Sequence, residues 1–457
     1  MKKIWMIFCF SLLFCSAVFF GCENKENQNE EIVLRIANWE EYLDEGGWDE
    51  DETIDLDEKT KILGRENMVD DFESWYEKTY GEKVRVEYST FGTNEDLYNQ
   101  MTLGDTFDLV CPSEYMIMKL MKEKKLEPFS EDFFDTSKKE NYSSRGVSPY
   151  IKNVFDDLKI SGESLSRYGA GYMWGVMGLV YNPSAVSKED VRHWSVLLDE
   201  KYRKQVTMKD SVRDSYLVAL TILKEKKLLS EEFQKAMETT HCLTDELNDT
   251  SEQTILEKMR KNSYSLETDS GKADMVTGKV VLNMQWSGDG VYTMDEAEKD
   301  GLELSYAVPE EGSNLWFDGF CMMKNGISGD AKKKQAAQAF INYISRPDNV
   351  IRNMYYVGYT SVIAGGDSDL IFKYADWCYG AEEDEEEVSP YDLSYFFSSA
   401  KKTKNKYVLE VPKSQVSRQV SAQYPEQSVL KRSAVMQCFS EEANRRISRM
   451  WIRVRCF

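Results

Sequence analysis

The stretch Phe107-Asp108-Leu109-Val110-Cys111-Pro112-Ser113-Glu114-Tyr115 decides the fold class of this chain. Phe107 to Cys111 is a compact apolar run of strand length, and Pro112 stops it. Ser113 then supplies an N-cap for an apolar-periodic helix through Lys125. The same order recurs upstream. Ile32 to Ala37 alternates as a short strand, and Glu66 to Tyr80 puts Met68, Val69, Phe72, Trp75 and Tyr76 on one helical face before Gly81. Lys83 to Tyr88 alternates again, with Val84, Val86 and Tyr88 on one side. Asn94 is expected to cap a helix that carries Leu97 and Met101 and stops at Gly104. Strands alternating with helices imply an α/β fold with a parallel sheet. Ligands bind such sheets beyond the carboxyl ends of the strands, which here means Asn38 to Leu43, Ser89 to Asn94 and Pro112 to Tyr115.

Toward the C-terminus a second α/β run is expected from about Gly175. Val176 to Tyr181 and Lys279 to Trp286 read as strands, Arg213 to Glu225 as a helix. Beyond Pro309 come a strand at Leu315 to Lys324 and a helix at Ala331 to Ser345. Acidic stretches at 44–57 and 382–387 read as exposed insertions. The first offers Asp49, Asp51 and Asp55 but lacks the turn glycine and closing glutamate of a calcium loop, so no metal site is assigned.

The N-terminus has the layout of an export signal. Lys2 and Lys3 precede an apolar core, Ile4 to Phe20, and Gly21-Cys22 follow. That core is short for a membrane span. A Gly-Cys pair there suits lipoprotein processing, with residues 1–21 removed, Cys22 lipidated and 22–31 a polar tether. The chain has 457 residues and 42% apolar content, enough for two domains. Its net charge of −22 disfavours nucleic acid and anionic lipid as partners and favours cations. Cys111, Cys242, Cys321, Cys378, Cys438 and Cys456 are scattered without a Cys-x-x-Cys pair, which leaves disulfides and free thiols both open.

Catalytic signatures are scarce. His193 and His241 are the only histidines, and His193 beside Trp194 reads as a packing residue. Nucleophile elbows, dinucleotide fingerprints and phosphate-binding loops are absent from the sequence, so neither enzyme nor cofactor is expected. What remains is aromatic residues beside carboxylates at the expected loops: Asn38-Trp39-Glu40-Glu41-Tyr42, Pro112-Ser113-Glu114-Tyr115, Asp210-Ser211-Val212-Arg213-Asp214, Gln285-Trp286, Trp316-Phe317-Asp318 and Gly358-Tyr359. An aliphatic ammonium needs carboxylate acceptors for its N–H groups and aromatic faces along its stem.

With Asn38-Trp39-x-Glu41-Tyr42, Ser89-Thr90-Phe91-x-x-Asn94-Glu95, Phe107-Asp108-Leu109-Val110-x-Pro112-Ser113-x-Tyr115, Trp286-Ser287-Gly288, Trp316-x-Asp318 and Gly358-Tyr359 in this order, the chain resembles the substrate-binding proteins of bacterial spermidine/putrescine ABC importers, the PotD family, from about Ile32 to Val454. The resemblance implies a type II periplasmic-binding-protein fold: two α/β lobes, a hinge crossed twice and a ligand cleft between them. The boundaries it suggests are 32–174 with 318–360 for one lobe, and 175–317 with 361–457 for the other. It further implies that Trp39 and Tyr42 wall the ligand's methylenes, with Ser113 and Tyr115 beside them and Glu41 accepting from an amine. Trp286 and Trp316 stack along the stem, Asp318 pairs with a terminal ammonium, and Tyr359 closes the cleft. Asp214 stands where the family has Glu, Ser211 where it has Asp, and Glu40 where it has a small hydroxyl residue. The implied partners are a polyamine, the membrane subunits of an ABC importer, and the membrane through Cys22, with the protein itself a monomer outside the cytoplasm. Two alternatives stay open: the same fold binding an amino acid or metal complex, with Arg213 as the one obvious carboxylate partner, or a surface antigen or adhesin with an idle cleft.

Overall fold

The computed structural model describes residues 31–243, 251–268, 270–382, 384–398 and 406–456. The export signal, Cys22 and nearly all of the tether lie outside the described residues. The principal strands are β1 (Ile32–Trp39), β2 (Val84–Phe91), β3 (Leu109–Val110), β4 (Gly169–Tyr181), β5 (Val206–Lys209), β6 (Ser265–Glu267), β7 (Leu282–Trp286), β8 (Ser305–Ala307) and β9 (Leu315–Met323). The helices that matter below are α1 (Met68–Tyr80), α2 (Asn94–Leu103), α3 (Glu114–Lys122), α4 (Val212–Leu228), α5 (Ser287–Lys299), α6 (Ala331–Ile344), α7 (Pro347–Val357) and α8 (Glu441–Cys456).

The strands run β2-β1-β3-β9-β4 and then β4-β7-β5-β6. In the first half β2, β1 and β3 are parallel and β9 is antiparallel to β3. In the second, β6, β5 and β7 are parallel and β7 is antiparallel to β4. The central strand β4 joins the halves: residues up to Val176 pair with β9, and Met177 to Tyr181 pair with β7. It runs in the sense of β1, so β5, β6 and β7 run the opposite way. The carboxyl ends of the two parallel sets therefore face each other across the β4 crossing. The chain returns between β8, which pairs with β4 in the second half, and β9 in the first. Each half reverses its strand order at its first strand, the topological position at which α/β sheets bind ligands.

Local chemistry accounts for the elements. α1 buries Met68, Phe72 and Tyr76, is capped by the Asn67 side chain, and ends at Gly81 with φ of 70°. In β5 both faces are buried, but they differ. Val206 and Met208 enter an apolar core with Leu282 and Met284, while Thr207 and Lys209 share the other face with Ser265, Glu267 and Asn283.

Several expectations need correction. The strand expected at Val176 to Tyr181 starts earlier, because β4 is continuous from Gly169 and passes from pairing with β9 to pairing with β7 between Val176 and Met177. Thr93, not Asn94, caps α2, and its hydroxyl accepts from the Asp96 N–H. The stretch 44–57 is not simply exposed. Asp44, Trp48 and Ile54 are buried, and Asp44 accepts from the Arg352 Nε at 2.7 Å and the Trp48 indole at 2.9 Å. Alternating apolar residues within an acidic run carried that information. The described residues of 382–387 are exposed. The six cysteines beyond Cys22 are all free thiols.

The chain after residue 361 touches both halves. Phe396 stacks on Trp174 with centroids 5.6 Å apart and Ser148 donates to its carbonyl, whereas α8 buries Ile447, Trp451 and Val454 in the core of the second half.

Candidate ligand-binding site

Asp318 sits in the middle of β9, where the two carboxyl edges meet, and is 6% exposed. Its Oδ2 accepts from the Tyr42 hydroxyl at 2.8 Å and its Oδ1 from the Ser113 hydroxyl at 2.7 Å. Burial pushes the Asp318 carboxyl up to about 6, with the two hydroxyls pulling the other way. Ser113 begins α3 as expected but makes no capping bond through its side chain, because the hydroxyl is turned to Asp318. Its backbone N–H and hydroxyl are clasped by the Asn94 amide at 3.0 and 3.1 Å, which is the work Asn94 does in place of capping.

Aromatic rings enclose this carboxylate. Tyr42 meets Tyr359 at 5.7 Å and Tyr172 at 5.5 Å between centroids, both edge-on, and Trp316 meets Tyr359 at 5.4 Å. Trp39, Tyr42, Trp286, Trp316 and Tyr359 belong to one packed cluster. The indole N–H groups of Trp39 and Trp316 are buried without a protein partner. Two glycines make the packing possible. A Cβ on Gly288 would overlap the Tyr359 ring, and one on Gly175 would lie 2.6 Å from Cζ2 of Trp316.

From the second half comes Asp214, in the first turn of α4 and 5% exposed. It accepts from the Ser211 hydroxyl at 2.7 Å, the Trp286 indole at 3.1 Å and the Asn314 amide at 3.0 Å. Ser211 thus caps α4 and orients Asp214. Asn314, just before β9, ties Asp214 to the strand that carries Trp316 and Asp318.

The remaining expected residues are less central. Tyr115 is half-buried, donates to Glu95 at 3.1 Å, and lies under the Arg213 guanidinium at 3.9 Å. Glu40 and Glu41 are exposed on the turn after β1. Glu41 adopts the left-handed conformation at φ of 52°, which L-residues avoid. No hydrogen bond joins either glutamate to the cluster among the described residues. Arg213 also donates to the carbonyls of Met436 and Gln437, so its guanidinium is engaged away from Asp318.

Sequence reasoning missed three groups. Glu114 is buried, accepts from the Phe317 N–H at 3.0 Å, and has its carboxyl pushed by burial up to about 8. Tyr172 donates to the Tyr42 carbonyl at 2.7 Å and fixes that ring from behind. Lys209 is fully buried at the carboxyl end of β5. Its position after Val206 and Met208 and directly before Asp210 was the available signal. His193 is not merely packing, since its Nδ1 lies 3.2 Å from Oε1 of the buried Glu311.

Residues 67–369 match the family of bacterial extracellular solute-binding proteins. The chain belongs to this family. Its type II fold has two α/β lobes about a cleft, and its members are binding proteins of transporters rather than enzymes, working outside the cytoplasm. The chain is 26% identical over 278 residues, 60% of its length and 70% of the other, to the spermidine/putrescine-binding periplasmic protein of Escherichia coli K12. It is 25% identical over 345 residues, 73% of its length and 78% of the other, to the putrescine-binding periplasmic protein PotF of the same strain. Its fold is similar to that of PotD from Streptococcus pneumoniae, with a TM-score of 0.58 and 21% identity over 93% of this chain and 99% of that one. The Tp0655 lipoprotein of Treponema pallidum is also similar, with a TM-score of 0.57 and 16% identity over 93% and 100%. No helix among the described residues is long and apolar enough to cross a membrane.

Proposed function

We propose that this chain is a lipoprotein that captures a polyamine, putrescine or spermidine, outside the cytoplasm and delivers it to the membrane subunits of an ABC importer. The observation that carries the reading is Asp318: a buried carboxylate, oriented by two hydroxyls, inside a wall of Tyr42, Trp316 and Tyr359. An aliphatic ammonium is the partner such a carboxylate lacks, and the rings suit its methylenes. The relatives named for spermidine and putrescine support the same ligand class. Asp318 serves one ammonium and Asp214 the other, with Trp39, Tyr42, Trp286, Trp316 and Tyr359 along the stem. Ser113 and Ser211 orient the two carboxylates. Glu40, Glu41 and Tyr115 stand at the rim and steer cations inward.

The lobes, 32–174 with 318–360 and 175–317 with 361–457, close over the ligand about β4 and the return to β9, with 361–424 strapped across both. Lipidation of Cys22 tethers the monomer to the membrane. An amino acid is a poorer ligand, because the Arg213 guanidinium that its carboxylate would need is already engaged by two carbonyls and the Tyr115 ring. An idle cleft is disfavoured because burying Asp318 and Glu114 destabilises the fold without return.

Calorimetric titration of the mature protein with putrescine, spermidine, spermine, lysine and arginine tests the proposal. Saturable binding of a polyamine in preference to the amino acids is expected. A flat trace with every polyamine would overturn it.

A further inference from the structure

The carboxyl edge of the second lobe already contains an ammonium. Lys209 is fully buried, and its Nζ donates to the Thr268 carbonyl at 2.5 Å. It stands 3.5 Å from the Glu267 carboxylate, 3.6 Å from that of Asp289, and 4.1 Å from the centre of the Trp286 ring. Two carboxylates, a carbonyl and an indole face are the groups an aliphatic ammonium ligand would seek.

The cage adjoins the cleft. Trp286 turns its indole N–H to Asp214 while its ring lies against Lys209. Asp289 also acts on the Tyr359 phenol, whose pKa burial and that carboxylate push well up, and Tyr359 packs on both Tyr42 and Trp316. The groups therefore form a continuous series from Asp318 through Tyr42, Tyr359 and Asp289 to Lys209. Asp289 is occupied twice, since its other oxygen faces the Lys272 ammonium at 3.6 Å.

Resting on the polyamine reading, we propose that Lys209 is a built-in cation that fills the far ammonium position of the cleft and restricts the site to short diamines. Asp318 and Asp214 offer one carboxylate per lobe, which matches two ammonium groups. A third, carried farther along an extended triamine, meets the Lys209 charge beside acids already neutralised. Like charges in a desolvated cleft repel strongly.

The test is calorimetric titration of the whole mature protein with putrescine and spermidine, in the wild type and in Lys209→Gln and Lys209→Arg. The wild type is expected to prefer putrescine by on the order of tenfold or more, the scale of one charge contact. Lys209→Gln should abolish or invert that ratio, and Lys209→Arg should keep it. Equal or tighter binding of spermidine by the wild type would overturn the inference even if the Gln variant does not fold. An unchanged ratio in folded Lys209→Gln would overturn it as well. A wild type that binds neither amine removes the polyamine reading itself, and this inference with it.

Discussion

Tyr42 and Asp318 lie 276 residues apart in sequence and share a 2.8 Å hydrogen bond at the meeting of the two lobes. The phenol orients the carboxylate without neutralising it, and burial raises the carboxyl to about 6 from 3.8. A carboxylate with a raised folded-state pKa contributes most stability below the unfolded value, and that contribution is lost as pH rises through the folded value.

The empty protein should accordingly lose about 2 kcal/mol of stability between pH 4 and pH 6 through this one group. Comparing denaturant midpoints of the wild type and Asp318→Asn across that window isolates the contribution. Identical pH profiles for the two would show that Asp318 is not the source.

Binding should have the opposite dependence. An ammonium pairs with the ionised carboxylate, so affinity for putrescine should fall as pH drops below about 6, approaching tenfold per unit. Asp318→Asn should bind about 2–5 kcal/mol more weakly at pH 7.5 and lose the pH dependence. Calorimetry over pH 4.5 to 8 measures both.

Gly288 gives a steric test. A methyl group there collides with the Tyr359 ring, and Gly288→Ala should cost about 1–3 kcal/mol in stability with weakened binding. Replacing Tyr359 with Leu in the same chain should recover part of the stability. A double-mutant cycle by thermal unfolding shows whether the two positions are coupled.

The buried pair Asp44–Arg352 fastens the start of the 44–57 stretch to α7. Arg352→Met leaves the Asp44 carboxylate without its charge partner and should cost about 3–5 kcal/mol. Asp44→Asn combined with Arg352→Met should cost less than the two single changes added. Urea midpoints for the three variants provide the comparison.

Much of the fold was legible because its elements are local. The periodicity of 66–80 placed α1 and its glycine stop. The run from Phe107 to Tyr115 placed a strand, a turn and a helix start, although only Leu109 and Val110 form regular β3. The placement of the candidate loops was legible for the same reason: residues at carboxyl ends of strands in an α/β chain fall along one edge wherever the strands pair. The errors came where a residue's partner is distant. Asn94 resembles a cap until the Ser113 hydroxyl is seen to need it. The 44–57 run resembles solvated surface until Arg352 pairs with Asp44.

The sequence by itself determined the α/β alternation and the loops at which aromatic residues stand beside carboxylates. The alternation follows from hydrophobic periodicity and turn chemistry, which act over a few residues at a time, whereas the roles of single site residues come only from the family resemblance. Only the tertiary structure decided that β4 runs unbroken between the lobes, that Ser113 and Tyr42 converge on one carboxylate, and that the Lys209 ammonium fills a cage of Glu267, Asp289 and Trp286. Burial and charge pairing act through space, so a lysine's partners are fixed only when the sheet and α5 pack around it.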